Sequence, residues 1–385
     1  MFIKTLKAAL CLAVLCAPGA AIADNHGVEG IGRKPIAALS SSSHPEGLAW
    51  PTKAWERGEI DEDVAKEQLL AAVGALSSPD GVLQGRVNAM LLIHRGKLIV
   101  ERYAEDVGPD TPLYLGSVAK LFNNTMAGVM VERGLLDVSS PVGAPEWRAP
   151  GDPRQAITFE HLLQMRSGLK WDENYLDPNS NAFKAYFGEH YGDVAAYVAG
   201  LPLEYAPGEV QEYSSGSSTL LARHLAETAG GKKAYLNLFK SGIAKPLGVD
   251  TYVPEFDLAG SLQAGMHSYI SAEDLARITY LYLRDGMWDG ERILPEGWVD
   301  WSRTVPNAKA RAGEQGVYGA QVQIAFTMLN EDIFGHTGVG AQFAFALPER
   351  DVVMVILNSL YDFPPNTSAA QMVPHLMGII NAFPK

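Results

Sequence analysis

The chain has 385 residues, 47% of them hydrophobic, and carries 31 Lys and Arg against 44 Asp and Glu, a formal net charge of −13. That acidity argues against nucleic acid and anionic membrane as partners. The length suits one mixed α/β core with a helical insertion, and no apolar run beyond the first residues is long enough to span a bilayer.

The chain opens with "MFIKTLK", which holds two lysines and no acid, followed by the apolar stretch "AALCLAVLCAPGAAIA". This ends in Ala21-Ile22-Ala23, a small-x-small pattern, so residues 1–23 read as a secretory leader cleaved after Ala23. A membrane anchor is disfavoured by the short apolar length, and a lipoprotein by the leucine before each cysteine. Cys11 and Cys16 lie in the leader and are the only cysteines. The mature chain then has no disulfide, no thiolate nucleophile and no cysteine metal ligand. Losing Lys4 and Lys7 takes the net charge from −13 to −15. A secreted or periplasmic location is expected, with no stable membrane insertion after cleavage.

Residues 24–80 form a loop-rich N-terminal extension that contains one helical pattern, "DEDVAKEQLLAAVGAL" at 61–76. "VNAMLLIHRGKLIVERYA" (87–104) is two apolar runs joined by Arg95-Gly96, a hairpin signal. Residues 117–135 predict a helix that stops at Gly134. "TFEHLLQMRSGL" (158–169) predicts another, capped by Thr158 and closed by Gly168. After an irregular stretch come the helical patterns 217–231 and 271–286, the latter with a Ser-x-x-Asp start. The tail alternates like strands in "YGAQVQIAF", "AQFAFALPE" and "DVVMVILNS", and a last helix is interrupted by Pro374.

Strands at both ends and helices between them predict an α+β fold. One antiparallel sheet is built from both termini and flanked by helices, with a mostly helical insertion at about 135–265 in a domain spanning 81–385. A cleft between sheet and insertion is the natural site.

Two Ser-x-x-Lys pairs occur, Ser117/Lys120 and Ser167/Lys170. The second straddles a helix stop at Gly168, so its members share no rigid turn. The first lies at a helix start, where residues three apart share a face. A lysine is poorly placed there as a cation, because the helix N-terminus is positive. It suits a base instead: serine becomes a nucleophile when a neighbour takes its proton, and the local N–H groups can hold an oxyanion. No Gly-x-Ser-x-Gly elbow, phosphate loop or metal-ligand cluster is present, so neither metal nor cofactor is expected.

Two further stretches complete a set: Tyr213-Ser214-Ser215 and His336-Thr337-Gly338. Ser-x-x-Lys, Tyr-x-Ser and His-Thr-Gly, in this order and spacing, resemble the serine β-lactamase and penicillin-binding superfamily. "SGLKWDENY" and "ILPEGWV" look like its class C branch, which includes DD-peptidases, serine esterases and 6-aminohexanoate-dimer hydrolases. The resemblance implies Ser117 as nucleophile, Lys120 as its base partner and Tyr213 as a second acid/base. It implies the N–H groups of Ser117 and Val339 as oxyanion donors, and Thr337 and Gly338 as motif matches. Ser215 stands where such lactamases usually have Asn, and His336 where they have Lys. Both departures favour an esterase or linear-amide hydrolase, and Tyr175 resembles a substrate-contacting tyrosine of the amide hydrolases. The expected function is a secreted serine hydrolase that acts through an acyl-enzyme on a small linear amide or ester. The alternatives are a β-lactamase or DD-peptidase, and a catalytically silent binding domain.

Overall fold

The computed structural model describes residues 39, 43–311, 318–324, 331–359 and 369–385. The leader expected at 1–23, with its cysteines and cleavage site, lies outside the described residues. Among the described residues no helix is long and apolar enough to cross a membrane.

Helix α1 (Lys66–Ser77) precedes the hairpin β1 (Val87–His94) and β2 (Lys97–Tyr103). Arg95 and Gly96 turn this hairpin with φ of 49° and 77°, the left-handed pair that a two-residue connection needs. A single 3₁₀ turn (Gly116–Ala119) leads into α2 (Lys120–Glu132). The chain then forms α3 (Phe159–Leu163), α4 (Ser215–Thr228) and α5 (Ala272–Leu283). The chain returns through β3 (Phe334–Gly338), β4 (Gln342–Leu347) and β5 (Val352–Asn358), and ends in α6 (Ala369–Ile380).

The sheet order is β3-β4-β5-β1-β2, all antiparallel. Strand β1 pairs with β5, for example Leu91 with Val355, so both ends of the chain meet at the sheet centre. Alternate residues serve two cores. Met90, Leu92, Phe343, Phe345, Met354 and Ile356 pack with Leu69, Val73 and Leu76 of α1 and with Leu376 and Ile380 of α6. Ala89, Leu91, Ile93, Ala344, Val353 and Val355 belong to the core shared with α2, α4 and α5. Both faces are covered, which is why these strands read as nearly unbroken apolar runs.

Helix α2 runs through the middle of the second core, buried from Lys120 to Met130. Its polar members are pinned rather than solvated. Asn124 Nδ2 donates to Ser302 Oγ and to the Ala320 carbonyl, each at 2.8 Å, and its Oδ1 accepts from Tyr282 at 2.5 Å and Trp298 Nε1 at 2.9 Å. Asn123 Nδ2 donates to the Ser218 carbonyl at 2.8 Å. The buried Asn124 amide, bonded at both its nitrogen and its oxygen, fixes the helix in rotation as well as position.

Several boundaries differ from expectation. The helix expected over 117–135 starts in a 3₁₀ turn and becomes α-helical at Lys120. The helix expected over 158–169 keeps its Thr158 cap but ends at Leu163. Gln321 is the cause, since its backbone N–H donates to the Leu163 carbonyl at 2.8 Å and its side chain to those of Leu162 and Leu163. An outside donor has taken the carbonyls that would have continued the helix. Gln321 itself sits at φ 58°, so the strand expected from Tyr318 is broken; Tyr318–Gln323 and Gln323–Gly335 are isolated bridges. Residues 325–326 of that stretch lie outside the described residues. His336-Thr337-Gly338 forms the end of strand β3, and α6 runs through Pro374.

Candidate active site

Ser117 lies in the 3₁₀ turn and Lys120 is the first residue of α2, both buried at 7% and 0% exposure. Tyr213 comes from the segment just before α4. The three converge on one atom: Ser117 Oγ lies 3.1 Å from Lys120 Nζ and 2.8 Å from the Tyr213 hydroxyl. Lys120 Nζ also lies 4.7 Å from the centroid of the Tyr213 ring. Two further oxygens face Nζ, Ser215 Oγ at 2.9 Å and the Gly265 carbonyl at 2.5 Å.

The third motif lies alongside. The Gly116-Ser117 and Gly338-Val339 backbones touch so closely that neither glycine has room for a side chain. A Cβ on Gly116, whose φ is 55°, would lie 2.9 Å from the Val339 nitrogen; one on Gly338 would lie 2.2 Å from the Leu115 carbonyl oxygen and 3.1 Å from the Ser117 nitrogen. The backbones that carry the Ser117 and Val339 amides are therefore packed against each other. Thr337 donates to Gln323 Oε1 at 2.6 Å.

His336 is 3% exposed. Burial pushes its pKa down to about 3, against a smaller raising contribution from its hydrogen bond with the Gln321 backbone. The imidazole is therefore neutral at pH 7 and adds no charge to the site.

Tyr175 and Ser215 join the group through a residue that the sequence reading missed, Glu173. Its Oε1 accepts from the Tyr175 hydroxyl at 2.5 Å and from the Ser215 hydroxyl; its Oε2 accepts from the Ser215 backbone N–H at 2.9 Å and from Trp171 Nε1. Tyr175 also lies 2.9 Å from Ser215 Oγ. The carboxylate sits at the N-terminus of α4, where a negative charge is favoured. Burial, and next the Glu173 charge, hold the Tyr175 hydroxyl well above the ordinary tyrosine pKa. Its proton is held by Glu173, so Tyr175 can serve a substrate only by leaving that carboxylate. The only hint of Glu173 in the sequence is one acid two residues before Tyr175.

The rejected pair does not assemble. Ser167 is buried and lies 3.3 Å from Ser217 Oγ, while Lys170 is exposed.

A family model described as Beta-lactamase matches residues 80–372. The curated 6-aminohexanoate-dimer hydrolase of Paenarthrobacter ureafaciens is 23% identical over 291 residues, covering 71% of this chain and 73% of that protein. Among solved structures, a Bacillus anthracis protein assigned as a 6-aminohexanoate-dimer hydrolase superposes with TM-score 0.67 at 18% identity, covering 90% of this chain and 91% of its own. A family VIII carboxylesterase superposes with TM-score 0.62 at 17% identity, covering 85% and 99%. The α+β arrangement expected from the sequence is the fold these structures share.

Proposed function

The chain belongs to the beta-lactamase family and is a serine hydrolase, and from that premise we propose that it cleaves a small linear amide or ester through an acyl-enzyme on Ser117. The observation that carries this reading is the meeting of Lys120 Nζ and the Tyr213 hydroxyl at Ser117 Oγ. Ser117 Oγ attacks the substrate carbonyl and passes its proton to neutral Lys120. The carbonyl electron pair moves to oxygen, between the N–H groups of Ser117 and Val339. Tyr213 delivers a proton to the leaving amine or alkoxide as the tetrahedral intermediate collapses; water then attacks the acyl carbonyl, giving its proton to the Tyr213 phenolate, and Lys120 returns its proton to Ser117 Oγ as the acid leaves.

The neutral His336 supports a linear substrate over a β-lactam, because the substrate carboxylate that a lactamase lysine would pair with meets no charge here. The similarity to an aminohexanoate-dimer hydrolase supports the amide and that to a carboxylesterase the ester. The family model is the support for the second reading, a β-lactamase or DD-peptidase. The leader-like first 23 residues support export to the periplasm or beyond.

The test is a substrate panel on the purified chain: p-nitrophenyl esters, linear amides and a chromogenic cephalosporin, with mass spectrometry of the trapped intermediate. Ester or amide turnover well above cephalosporin turnover, with the acyl mass on Ser117, is expected. Efficient cephalosporin turnover would establish the second reading instead, and an acyl group on another residue would remove the mechanism.

A further inference from the structure

We infer that Glu173 is a positioning residue that aims the Lys120 lone pair at Ser117. This rests on the reading of Lys120 as the base. A neutral lysine amine has two N–H donors and one lone pair. Among the groups that face Nζ are three oxygens, the Gly265 carbonyl, Ser215 Oγ and Ser117 Oγ. The Gly265 carbonyl can only accept. Ser215 Oγ could do either, since a hydroxyl both donates and accepts. Its proton, however, is claimed by Glu173 Oε1, so toward Lys120 it only accepts. Both amine N–H groups are thereby engaged, and the lone pair is left facing Ser117 Oγ. The proton of Ser117 can then pass to Lys120.

Glu173 can enforce this because an ionised carboxylate has no donor of its own. Its Oε2 is fixed by two N–H groups, Trp171 Nε1 and the Ser215 amide, neither of which can reverse. Its Oε1 faces two hydroxyls, Tyr175 and Ser215, and both must donate to it. Glu173 takes no proton in the reaction and touches no reacting atom; it acts through Ser215.

The two conservative substitutions separate this role from packing. In Glu173→Gln the amide oxygen must face the two fixed N–H groups, so the NH₂ faces the two hydroxyls and turns them into acceptors. The Ser215 proton then points to Lys120 and occupies the lone pair. Glu173→Asp is shorter and packs less well, but it can still only accept. We therefore expect Glu173→Gln to lose at least a hundredfold in kcat with KM within about threefold, comparable in kind to setting a wrong tautomer on a catalytic base. Glu173→Asp should retain more activity than Glu173→Gln. Ser215→Ala, which keeps the amide bond to Glu173 but removes the oriented acceptor, should also lose kcat. Melting curves are run on each variant. Wild-type kcat in Glu173→Gln, or a Gln variant more active than the Asp variant, would overturn the inference. Lys120→Met serves as the control for the underlying reading: if it stays active, Lys120 is not the base, whereas a dead Lys120→Met beside a fully active Glu173→Gln sinks the role of Glu173 alone.

Discussion

Ser117 shows how little a nucleophile contributes to the fold that holds it. Its hydroxyl meets Lys120 and Tyr213, but Lys120 keeps Ser215 and the Gly265 carbonyl without it. Ser117→Ala is therefore expected to abolish turnover and to change stability by no more than about 1 kcal/mol, the net worth of one hydrogen bond; paired rate and melting measurements check both halves. Ser167→Ala should leave kcat at the wild-type level, because Ser167 bonds only within the buried segment beside Ser217 and its lysine is in solvent. Tyr175→Phe tests a different point. Its hydroxyl holds Glu173 rather than standing free for a leaving group, so ester and amide hydrolysis should slow together, severalfold each. Slowing confined to amides would make Tyr175 a contact of the leaving amine.

At the scale of elements, the site is the crossing of a turn from one end of the sheet with a strand from the other. The 3₁₀ turn before α2 presents Ser117, and the end of β3 presents Val339, with Gly116 and Gly338 allowing the two backbones to touch. A methyl group on Gly338 would overlap the Leu115 carbonyl oxygen, which is backbone and cannot swing aside. Gly338→Ala should push the two amides apart and reduce kcat for every substrate by about a hundredfold or more, since one lost oxyanion donor costs that much. Rates on an activated ester, with far-ultraviolet circular dichroism to confirm the sheet, decide this. An unchanged rate would separate Val339 from the oxyanion site. The same crossing explains why β3, an edge strand, is buried along its whole length.

Across the whole molecule, buried and half-buried imidazoles should govern stability in mild acid. Burial is the leading cause that lowers the pKa of His44, His94, His161, His267 and His336, the last to about 3. Unfolded, each would protonate near pH 6.5. The unfolded chain thus binds more protons below that pH, so the histidine contribution is fully present above pH 6.5 and falls as pH drops. For His336 the loss continues down to about pH 3. Each excess proton gives a slope of about 1.4 kcal/mol per pH unit. Denaturant titrations between pH 6.5 and 5.5 should show falling stability, and His336→Gln should flatten that fall by up to one proton's slope. An unchanged slope in His336→Gln would mean that this imidazole is accessible to protons in the folded chain.

The features legible in the sequence were those encoded in neighbouring residues. Arg95-Gly96 between two apolar runs specified the hairpin, because few dipeptides accept two positive φ angles in a row. The apolar runs at both ends marked a sheet covered on both faces. Helix geometry singled out Ser117 and Lys120, and the resemblance of three short motifs to a known hydrolase superfamily added Tyr213 and His336-Thr337-Gly338. Other features depended on partners far along the chain. Glu173 meets Ser215 42 residues away, and the Gln321 side chain reaches the end of α3 across more than 150. Asn124 is satisfied only by Ser302, Ala320, Tyr282 and Trp298. A polar side chain has no period and no preferred element that announces such a partner. Its bond is decided when the core closes and leaving it unmade would cost more than making it. The sequence alone therefore pointed to a serine and a lysine on one helical turn, while tertiary structure decided which oxygens surround that lysine and which way its lone pair can face.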